Sequence, residues 1–204
     1  MTGVRSFDEI APVLAELERF RHPWHVCGGW AIDLFLDDVT REHEDVEIGV
    51  FRRDQQALRA HYAGWGHFKV ERAGHWDEWR GERLELPIHQ LLFRPPGAGP
   101  PPNPWEPERQ ERQFLLDDAE GGVWISRRDR RLRRPLAEVT VRSKSGVPIV
   151  APEIQLLYKA KHTGDKDEHD FRLTLPRLDA AQRAWLSDAL RLVHPGHRWL
   201  GALG

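Results

Sequence analysis

The sequence predicts a mixed α/β fold of the α+β kind over residues 1–150, followed by a helical region over residues 151–204. Three observations support this prediction. Strand-like and helix-like segments alternate over the first seventy residues, which is typical of a sheet with helices packed on it. Glycine-containing turns in the middle of the chain indicate two hairpins. From Ala151 onward, apolar residues recur with the period of an α-helix.

The N-terminal segments alternate in type along the chain. The first is a helix whose apolar stripe includes Ile10, Leu17 and Phe20. After it, the pattern predicts a buried strand 24–27, a helix 30–36, a polar loop 37–44, a strand 45–51, a helix 54–62 and a strand 67–71. These segments should form one sheet with helices packed against it.

The remaining segments are predicted from turn residues and periodicity. Residues 89–94 should form a strand, and the proline- and glycine-rich stretch Pro95–Pro107 should form a loop. One hairpin is expected to pair 112–117 with 123–127, and a second to pair 139–142 with 147–150. Helices are expected from Pro152, near 166–173 and over 179–193.

The composition is that of an ordinary soluble globular protein. Of the 204 residues, 40% are hydrophobic and 30% are charged, with a net charge of −2. This balance gives no bulk electrostatic reason to expect long nucleic acid or an anionic membrane as a partner. The single cysteine, Cys27, excludes an internal disulfide and is expected to be a small buried hydrophobe. Without an apolar run of membrane-spanning length or a secretory leader, a cytoplasmic protein is expected.

The diglycine Gly28-Gly29 and the pair Asp45 and Glu47 carry the most chemical information. If Asp45 begins a strand, the period of two places both carboxylates on one face. Two carboxylates roughly 5–7 Å apart repel by a few kcal/mol at an effective dielectric of about 20, and a divalent cation removes that repulsion. Mg²⁺ prefers such oxygen ligands and leaves room for substrate phosphates. Because the glycines allow a helix N-terminus to approach a polyphosphate, the pattern indicates nucleotidyl transfer.

These residues also carry a family resemblance. The stretches 24–33 and 39–47 resemble the nucleotide-binding signature of the polymerase-β-like nucleotidyltransferases, in the branch of the aminoglycoside adenylyltransferases. Members have a GGWA-hydrophobic-D stretch and a TR-x-H-x-D-hydrophobic-D/E stretch at similar spacing. Two glycines followed by two acids could occur by chance, whereas a long matched string with fixed spacing is far more specific. The resemblance continues in less detail to Lys159 and the stretch 166–171.

The resemblance implies a nucleotidyltransferase-type mixed sheet with flanking helices. It implies ATP or another nucleoside triphosphate as substrate, two Mg²⁺ ions, and a small hydroxyl-bearing acceptor such as an aminoglycoside-like antibiotic. Asp45 and Glu47 would hold the metals and act as the catalytic residues. The residues that it assigns to the nucleotide are Gly28, Gly29, Arg41 and Lys159. An acidic cleft would suit a cationic acceptor.

A third carboxylate, which members of the family supply from a later strand, is missing at the expected position. Aligning 114–116 with that strand puts Gln113 there, and a neutral amide can neither act as a base nor balance metal charge. Glu85, Glu111 and Asp117 are the candidate substitutes. If none reaches the site, the chain is a catalytically impaired nucleotide-binding protein. A toxin-type protein that nucleotidylates RNA or protein is a further alternative on the same fold.

The loop before the carboxylate pair contains two residues with more than one interpretation. Arg41 could form a bidentate pair either with a phosphate or with Asp33, and both alternatives stay open. His43 is expected to organise the loop by hydrogen bonding rather than to act as a base. Asp33 itself is expected to pair locally.

Other polar and aromatic residues have a structural and a functional interpretation. Lys159 either contacts the triphosphate, as the resemblance implies, or belongs to a solvated helix surface with charge pairs. The arginine-rich run 127–134 is expected to be a solvated turn rather than an RNA site, because aromatic residues are not interleaved with it. Trp30 is expected to lie in the core.

Overall fold

The fold is a mixed sheet with helices packed against it, as predicted. The structure, a computed structural model, describes residues 6–72, 75–101 and 111–204. Within these residues the sheet has ten strands. They are β1 (Trp24–Val26), β2 (Glu47–Phe51), β3 (Gly66–Arg72), β4 (His75–Glu78), β5 (Gln90–Arg94), β6 (Arg112–Glu120), β7 (Val123–Ile125), β8 (Arg133–Pro135), β9 (Thr140–Arg142) and β10 (Pro148–Val150).

Strand order places β2 in the middle of the sheet. The main path runs β4-β3-β5-β6-β2-β1-β10-β9, and β7 pairs with β6 and β8. Strand β2 is parallel to β6 and antiparallel to β1, and β1 is parallel to β10. The four residues that follow Glu47 in β2 are all buried, because a central strand is covered on both faces and therefore carries a nearly continuous apolar run.

Helices occupy most of the intervals that periodicity predicted. In the described part of the chain they are α1 (Ala11–Leu17), α2 (Gly28–Leu36), α3 (Gln55–His61), α4 (Pro152–Lys159), α5 (Asp165–Thr174), α6 (Ala180–Val193) and α7 (Leu200–Leu203). Helix α2 begins two residues before the predicted start, so the diglycine forms its first turn. The stripe on α1 is buried as expected, with Val13 and Leu17 facing the core.

A hairpin is present at each of the two predicted turns, but the predicted pairing of the first is wrong. Residues 118–120 pair with β7, whereas residues 112–117 pair with β2 and β5. Strand β6 turns into β7 at Gly121 and Gly122, whose φ angles are 57° and 81°. Such positive φ values are easily adopted only by glycine, which explains the residue choice at this turn. Strand β9 pairs with β10 in the second hairpin.

Two apolar clusters hold the elements together. The larger one joins α1, α2 and α3 to the sheet and includes Trp124 and Phe114, both 0% exposed. The second lies among the C-terminal helices, where Phe171 stacks on Trp199 with ring centroids 4.1 Å apart. Ile32 of α2 belongs to this second cluster, so the C-terminal helices pack on the helix that the diglycine begins. A boundary between residues 150 and 151 stays a prediction.

Five points of the sequence prediction need correction or completion. The strand predicted from Asp45 starts at Glu47, so Asp45 lies in the preceding loop. Strand β4 was missed because its side chains are mostly exposed and give no apolar alternation. Strand β8, which contains two arginines and a proline, and the four-residue helix α7 were missed as well. In the predicted loop Pro95–Pro107, residues 102–107 lie outside the described residues, and residues 95–101 contain no helix or strand.

None of the helices in the described ranges combines the length and the apolar character needed to cross a bilayer.

Candidate active site

The start of α2 and the start of β2 lie side by side because β1 and β2 are antiparallel neighbours. Val26, the last residue of β1, is paired with Ile48, and the Cys27 N–H donates to the Glu47 carbonyl oxygen at 2.8 Å. Helix α2 then begins at Gly28. The diglycine and the acidic pair, which are far apart in sequence, therefore meet in space.

A cleft of about 340 Å³ opens at this meeting point. Its walls come from the start of α2, the loop before β2, strand β6, the turn after β7, and the segment from α4 to α5. All six residues predicted for the site line it: Gly28, Gly29, Arg41, Asp45, Glu47 and Lys159. The structure brings them together, and their roles stay predictions.

Gly28 is in direct contact with the Glu47 carboxylate. Its φ is +68°, and a Cβ built on it would overlap Glu47 Oε2. The Gly28 N–H donates to Gln155 Oε1 at 2.9 Å, so this N–H already has a partner. A residue with a side chain is excluded here both by the backbone angle and by the carboxylate.

Gly29 is in close contact with the loop that precedes β2. A Cβ on Gly29 would overlap the Arg41 guanidinium and His43 Nδ1. His43 Nε2 lies 2.6 Å from Asp33 Oδ2, and Thr40 Oγ1 donates to Asp33 Oδ1 at 2.7 Å. The predictions that His43 organises the loop and that Asp33 pairs locally are confirmed. Trp30, 3% exposed, lies in the core as predicted and has its ring centroid 4.4 Å from that of His43.

Arg41 has a partner that the sequence did not indicate. It donates from Nε and Nη2 to the two oxygens of Asp170, each at 2.9 Å. The alternative that paired it with Asp33 is wrong, because Asp33 is occupied by His43 and Thr40. Asp170 is on α5, a helix that packs on α2, and only the three-dimensional fold brings it to this loop.

Lys159 contacts the same buried carboxylate. Its Nζ lies 2.8 Å from Asp170 Oδ2 and 3.1 Å from Asp167 Oδ1, and its side chain is 10% exposed. Of the two interpretations of Lys159, a solvated surface position is wrong, because it lines the cleft between α4 and α5. Lys166 also lines the cleft and pairs with Glu44 at 2.9 Å.

The two acidic residues of the motif are held at raised pKa values. Burial and the neighbouring charge of Glu44 raise the pKa of Asp45, while His43 and a side-chain hydrogen bond from Gln113 oppose the shift. Burial and the charge of Asp45 raise the pKa of Glu47 to about 7, against smaller effects of basic residues. Perturbed carboxyl groups in a cleft are typical of functional sites.

The donor set of the cleft fits a metal ion that is shared with a nucleotide. No three His, Cys, Asp or Glu side chains are arranged as a metal site by themselves in the ranges that the structure describes. The Glu47 carboxylate has no hydrogen-bond or ion-pair partner among those residues, so its oxygens are available. Mg²⁺ is commonly bound through one or two carboxylates together with substrate phosphates, which matches Asp45 and Glu47.

Gln113 occupies the position where a third carboxylate was expected. In the parallel pairing of β2 with β6 it lies directly opposite Glu47. Glu85 does not replace it, since Glu85 is exposed and pairs with Arg83 at 2.6 Å away from the cleft. Glu111 is buried and accepts a hydrogen bond from Arg94 at 2.8 Å.

Asp117 is the substitute that lines the cleft. It lies four residues beyond Gln113 on β6, about 13 Å along a strand. His25 Nε2 lies 3.1 Å from its Oδ2, and Trp124 Nε1 donates to its Oδ1 at 3.3 Å. Burial raises the pKa of Asp117, but His25 and Arg127 outweigh this and lower it overall. Asp117 is thus hydrogen-bonded and more buried than either residue of the acidic pair.

Arg127 and Arg128 are functional candidates that the sequence analysis missed. Their guanidinium carbons lie 4.3 Å and 4.7 Å from the ring centroid of Tyr158, and all three residues line the cleft. The prediction that the run 127–134 is a solvated turn is wrong for Arg127, whose side chain is 12% exposed, whereas Arg128 is exposed. The spacing of residues in the sequence does not indicate this contact, because Tyr158 belongs to α4, which is distant from Arg127 and Arg128 along the chain.

Similarities to known proteins agree with this geometry. Residues 9–91 match the family described as aminoglycoside-2''-adenylyltransferase. The crystal structure of the lincosamide antibiotic adenylyltransferase LnuA, lincomycin-bound, aligns with a TM-score of 0.54 and 15% identity, covering 82% of this chain and 95% of that one. No curated protein is similar enough in sequence to be matched with the chain.

Two structures of the antibiotic-resistance factor ANT(2'')-Ia are also similar. The solution structure aligns with a TM-score of 0.56 and 17% identity, covering 91% of this chain and 90% of that one. The crystal structure in complex with adenylyl-2''-tobramycin aligns with a TM-score of 0.56 and 15% identity, covering 90% of this chain and 97% of that one. At these identities the likeness establishes the fold.

The chain therefore has the fold of the nucleotidyltransferases, as the sequence predicted. Within that class, the predicted resemblance to the aminoglycoside adenylyltransferase branch is confirmed over residues 9–91, which include the diglycine, the acidic pair and the loop between them.

Proposed function

We propose that this protein transfers a nucleoside monophosphate from a nucleoside triphosphate such as ATP to a hydroxyl group of a small molecule, with release of pyrophosphate. One observation carries the proposal. The diglycine at the start of α2 is in contact with the Glu47 carboxylate in the cleft that also contains Asp45 and a cluster of basic side chains. Phosphate-binding backbone, metal-binding oxygens and compensating cations are the parts that this reaction needs.

Asp45 and Glu47 would hold Mg²⁺, with two ions expected from the family resemblance. When bound, the metal supplies positive charge to the reacting phosphate and to the attacking oxygen. The pKa of Glu47 is raised by burial and, to a smaller extent, by the charge of Asp45, and a bound cation would offset the second of these effects.

Lys159 can contact a phosphate without leaving its present position. An ammonium group has three N–H donors, and Asp167 and Asp170 accept two of them. The third is free to donate to a phosphate oxygen in the cleft. A cation fixed in this way would stabilise the charge that develops on the leaving pyrophosphate.

The acceptor is expected to be a small hydroxyl-bearing molecule such as an antibiotic. Two of the similar structures were determined with lincomycin and with adenylyl-2''-tobramycin. A panel of hydroxyl-bearing antibiotics that includes these two compounds is therefore the first set of acceptors to assay.

Asp45→Asn is the direct test. Pyrophosphate release with Mg²⁺, ATP and the acceptor panel should fall by at least about a hundredfold, with the melting temperature retained. Asp188→Asn is the matched control, because Asp188 is exposed on α6 and pairs with Arg191 at 3.3 Å. Turnover of Asp45→Asn equal to that of the control would contradict the proposal.

Gln113 supports a second candidate, a nucleotide-binding protein without transferase activity. Calorimetric titration with ATP and Mg²⁺, run beside the turnover assay, separates the two candidates. Binding without product over the whole panel favours the second. Gln113→Glu then places a carboxylate opposite Glu47, and turnover gained by that variant would show that the missing carboxylate was the cause.

A further inference from the structure

A second groove continues from the cleft and is larger than it. Its volume is about 760 Å³, and it shares Arg127, Arg128 and Lys161 with the cleft. One wall is the segment before β5, which includes Leu86, and the opposite wall is the C-terminal end of α6, which includes Leu192. A groove of this size falls in the range of small-molecule sites, which is about 300–1,000 Å³.

The groove has an apolar component on both walls. Leu86 is 41% exposed and Leu192 is 36% exposed, and they are the large hydrophobic side chains that the described residues leave exposed. Both line this groove. Exposed apolar side chains that converge from two elements on one concave surface are typical of a binding site.

The charged component is positive and poorly compensated. Arg127 approaches Asp117 only to 3.9 Å, and Arg128 donates to the Leu157 carbonyl oxygen at 3.2 Å. Within the described ranges, neither Arg128 nor Lys161 forms an ion pair with a carboxylate. Burial and the neighbouring Arg127 lower the pKa of Arg128 to about 10, so it stays protonated at neutral pH while its charge is not balanced.

Other ionisable groups in the groove do not offset this charge. Asp129 Oδ2 accepts hydrogen bonds from Arg131 Nη2 at 2.6 Å and from Arg131 Nε at 3.1 Å. The two residues form an ion pair without net charge. Burial lowers the pKa of His89 and of His194, which keeps both rings neutral at pH 7. His194 Nε2 is a buried polar atom that has no hydrogen-bond partner in the described part of the chain.

We propose that this groove binds the acceptor, and that the acceptor is an amphipathic molecule with an acidic group, such as a carboxylate, rather than a polycation. The proposal rests on the nucleotidyl transfer proposed above. The acidic group would pair with Arg128 and Lys161, and the apolar body would cover Leu86 and Leu192. Because groove and cleft share a wall, a hydroxyl on such a molecule can extend toward Asp45 and Glu47. A polycation would instead face the positive charges of Arg128 and Lys161, which have no carboxylate partner among the described residues.

Cholate, a hydroxylated steroid carboxylate, is a suitable probe because it has the three required chemical features. Its binding to the full-length protein is measured by calorimetry below its micelle concentration, with and without a saturating non-hydrolysable ATP analogue and Mg²⁺. Arg128→Ala and Lys161→Ala should each weaken binding by about tenfold or more, and Leu192→Ser should weaken it as well. Arg130→Ala is the control, because Arg130 is exposed, lies outside the groove and pairs with Glu120 at 3.1 Å.

The methyl ester of cholate isolates the contribution of charge. The wild-type protein should bind cholate more tightly than the ester, and this difference should disappear in a protein carrying both Arg128→Ala and Lys161→Ala. Melting curves verify that each variant is folded. Equal affinity of the wild-type protein for the two compounds would overturn the assignment of an acidic ligand.

Three further results would overturn the proposal. The first is the absence of cholate binding. The second is displacement of cholate by the ATP analogue, which would assign the groove to the nucleotide. The third is tighter binding of tobramycin than of cholate in the groove, measured as displacement of cholate by a lower concentration of tobramycin. Binding of the ATP analogue is recorded independently in the same experiment. If cholate binds but the analogue does not, the proposed nucleotidyl transfer fails and the anion-binding groove remains.

Discussion

The buried carboxylate of Asp170 accepts two hydrogen bonds from Arg41, from Nε and from Nη2, each at 2.9 Å. The same carboxylate lies 2.8 Å from Lys159 Nζ and is 0% exposed. Burial raises its pKa, but the hydrogen bonds and charges of its two basic partners outweigh burial and lower the pKa overall. A single side chain of α5 thus fixes two of the basic groups that line the cleft.

Asp170→Asn should destabilise the protein by about 3 kcal/mol, because it leaves two partly buried cations without their counter-charge. The free energy of unfolding in urea measures this effect. Asp188→Asn, which removes a carboxylate from an exposed pair, should change it by less than about 0.5 kcal/mol. Equal losses in the two variants would show that Asp170 has no special structural role.

Gly28→Ala should remove nucleotide binding and destabilise the fold. A positive φ costs an L-residue about 1–2 kcal/mol, and the new Cβ would also overlap Glu47 Oε2. Gly121→Ala is the matched control, since Gly121 has a φ of +57° and no atom within 4 Å of its Cβ position. The control should therefore show the backbone cost alone, with unchanged affinity for ATP and Mg²⁺ in calorimetry.

A double variant tests whether the contact with Glu47 is the cause. Aspartate is one methylene shorter than glutamate, so Glu47→Asp withdraws the carboxylate from residue 28. Adding Glu47→Asp to the Gly28→Ala variant should recover part of the unfolding free energy that Gly28→Ala lost. The same Glu47→Asp change in the wild-type protein should give a smaller gain in unfolding free energy. Additive effects of the two changes would show that the side chains do not interact.

Local patterns in the sequence were sufficient for much of the fold and for the centre of the site. The stripe on α1, the diglycine and the hairpin glycines each report a constraint within a few residues, namely a buried helix face or a positive φ. The family-like spacing of Gly28-Gly29 and Asp45 adds one tertiary relationship, because that segment folds as a unit around the β1 and β2 pair. The predicted start of β2 is two residues too early, because Asp45 fits the same period-two pattern as the strand that begins at Glu47.

Partners from distant segments could not be predicted in this way. Arg41 and Asp170 are 129 positions apart, and no periodicity relates a loop residue to a carboxylate on a later helix. The charges of Arg127 and Arg128 dominate the local composition, which therefore predicts a solvated turn. Their stacking on Tyr158 depends on how α4 packs beside the turn, which is a property of the tertiary structure.

Tyr158→Phe should leave stability and nucleotide affinity nearly unchanged. The Tyr158 hydroxyl is buried with no hydrogen-bond partner among the described residues, while its ring lies under Arg127 and Arg128. Phenylalanine keeps the ring and removes only the unpaired hydroxyl. Tyr158→Leu removes the ring, so it should destabilise by about 1–2 kcal/mol and weaken anion binding in the groove. If Tyr158→Phe lost as much stability as Tyr158→Leu, the hydroxyl rather than the ring would be the important group.

Glu47→Gln should stabilise the ligand-free protein at alkaline pH. The folded-state pKa of Glu47 is about 7, above the ordinary value of 4.5, because burial and the charge of Asp45 disfavour the carboxylate. Folding therefore favours the protonated form. The contribution of this group to stability is complete below pH 4.5 and is lost as the pH rises to about 7.

At pH 8 the variant should exceed the wild-type protein in unfolding free energy by about 1–3 kcal/mol, since each pKa unit corresponds to about 1.4 kcal/mol. Below pH 4.5 the two proteins should be nearly equal in stability. Glu120→Gln, a change at an exposed glutamate, should show no such pH-dependent difference. A gain at pH 8 together with loss of ATP and Mg²⁺ binding would mean that the buried charge is kept at the expense of stability because ligand binding requires it. A loss of stability at pH 8 would instead show that Glu47 is held by favourable contacts in the free protein.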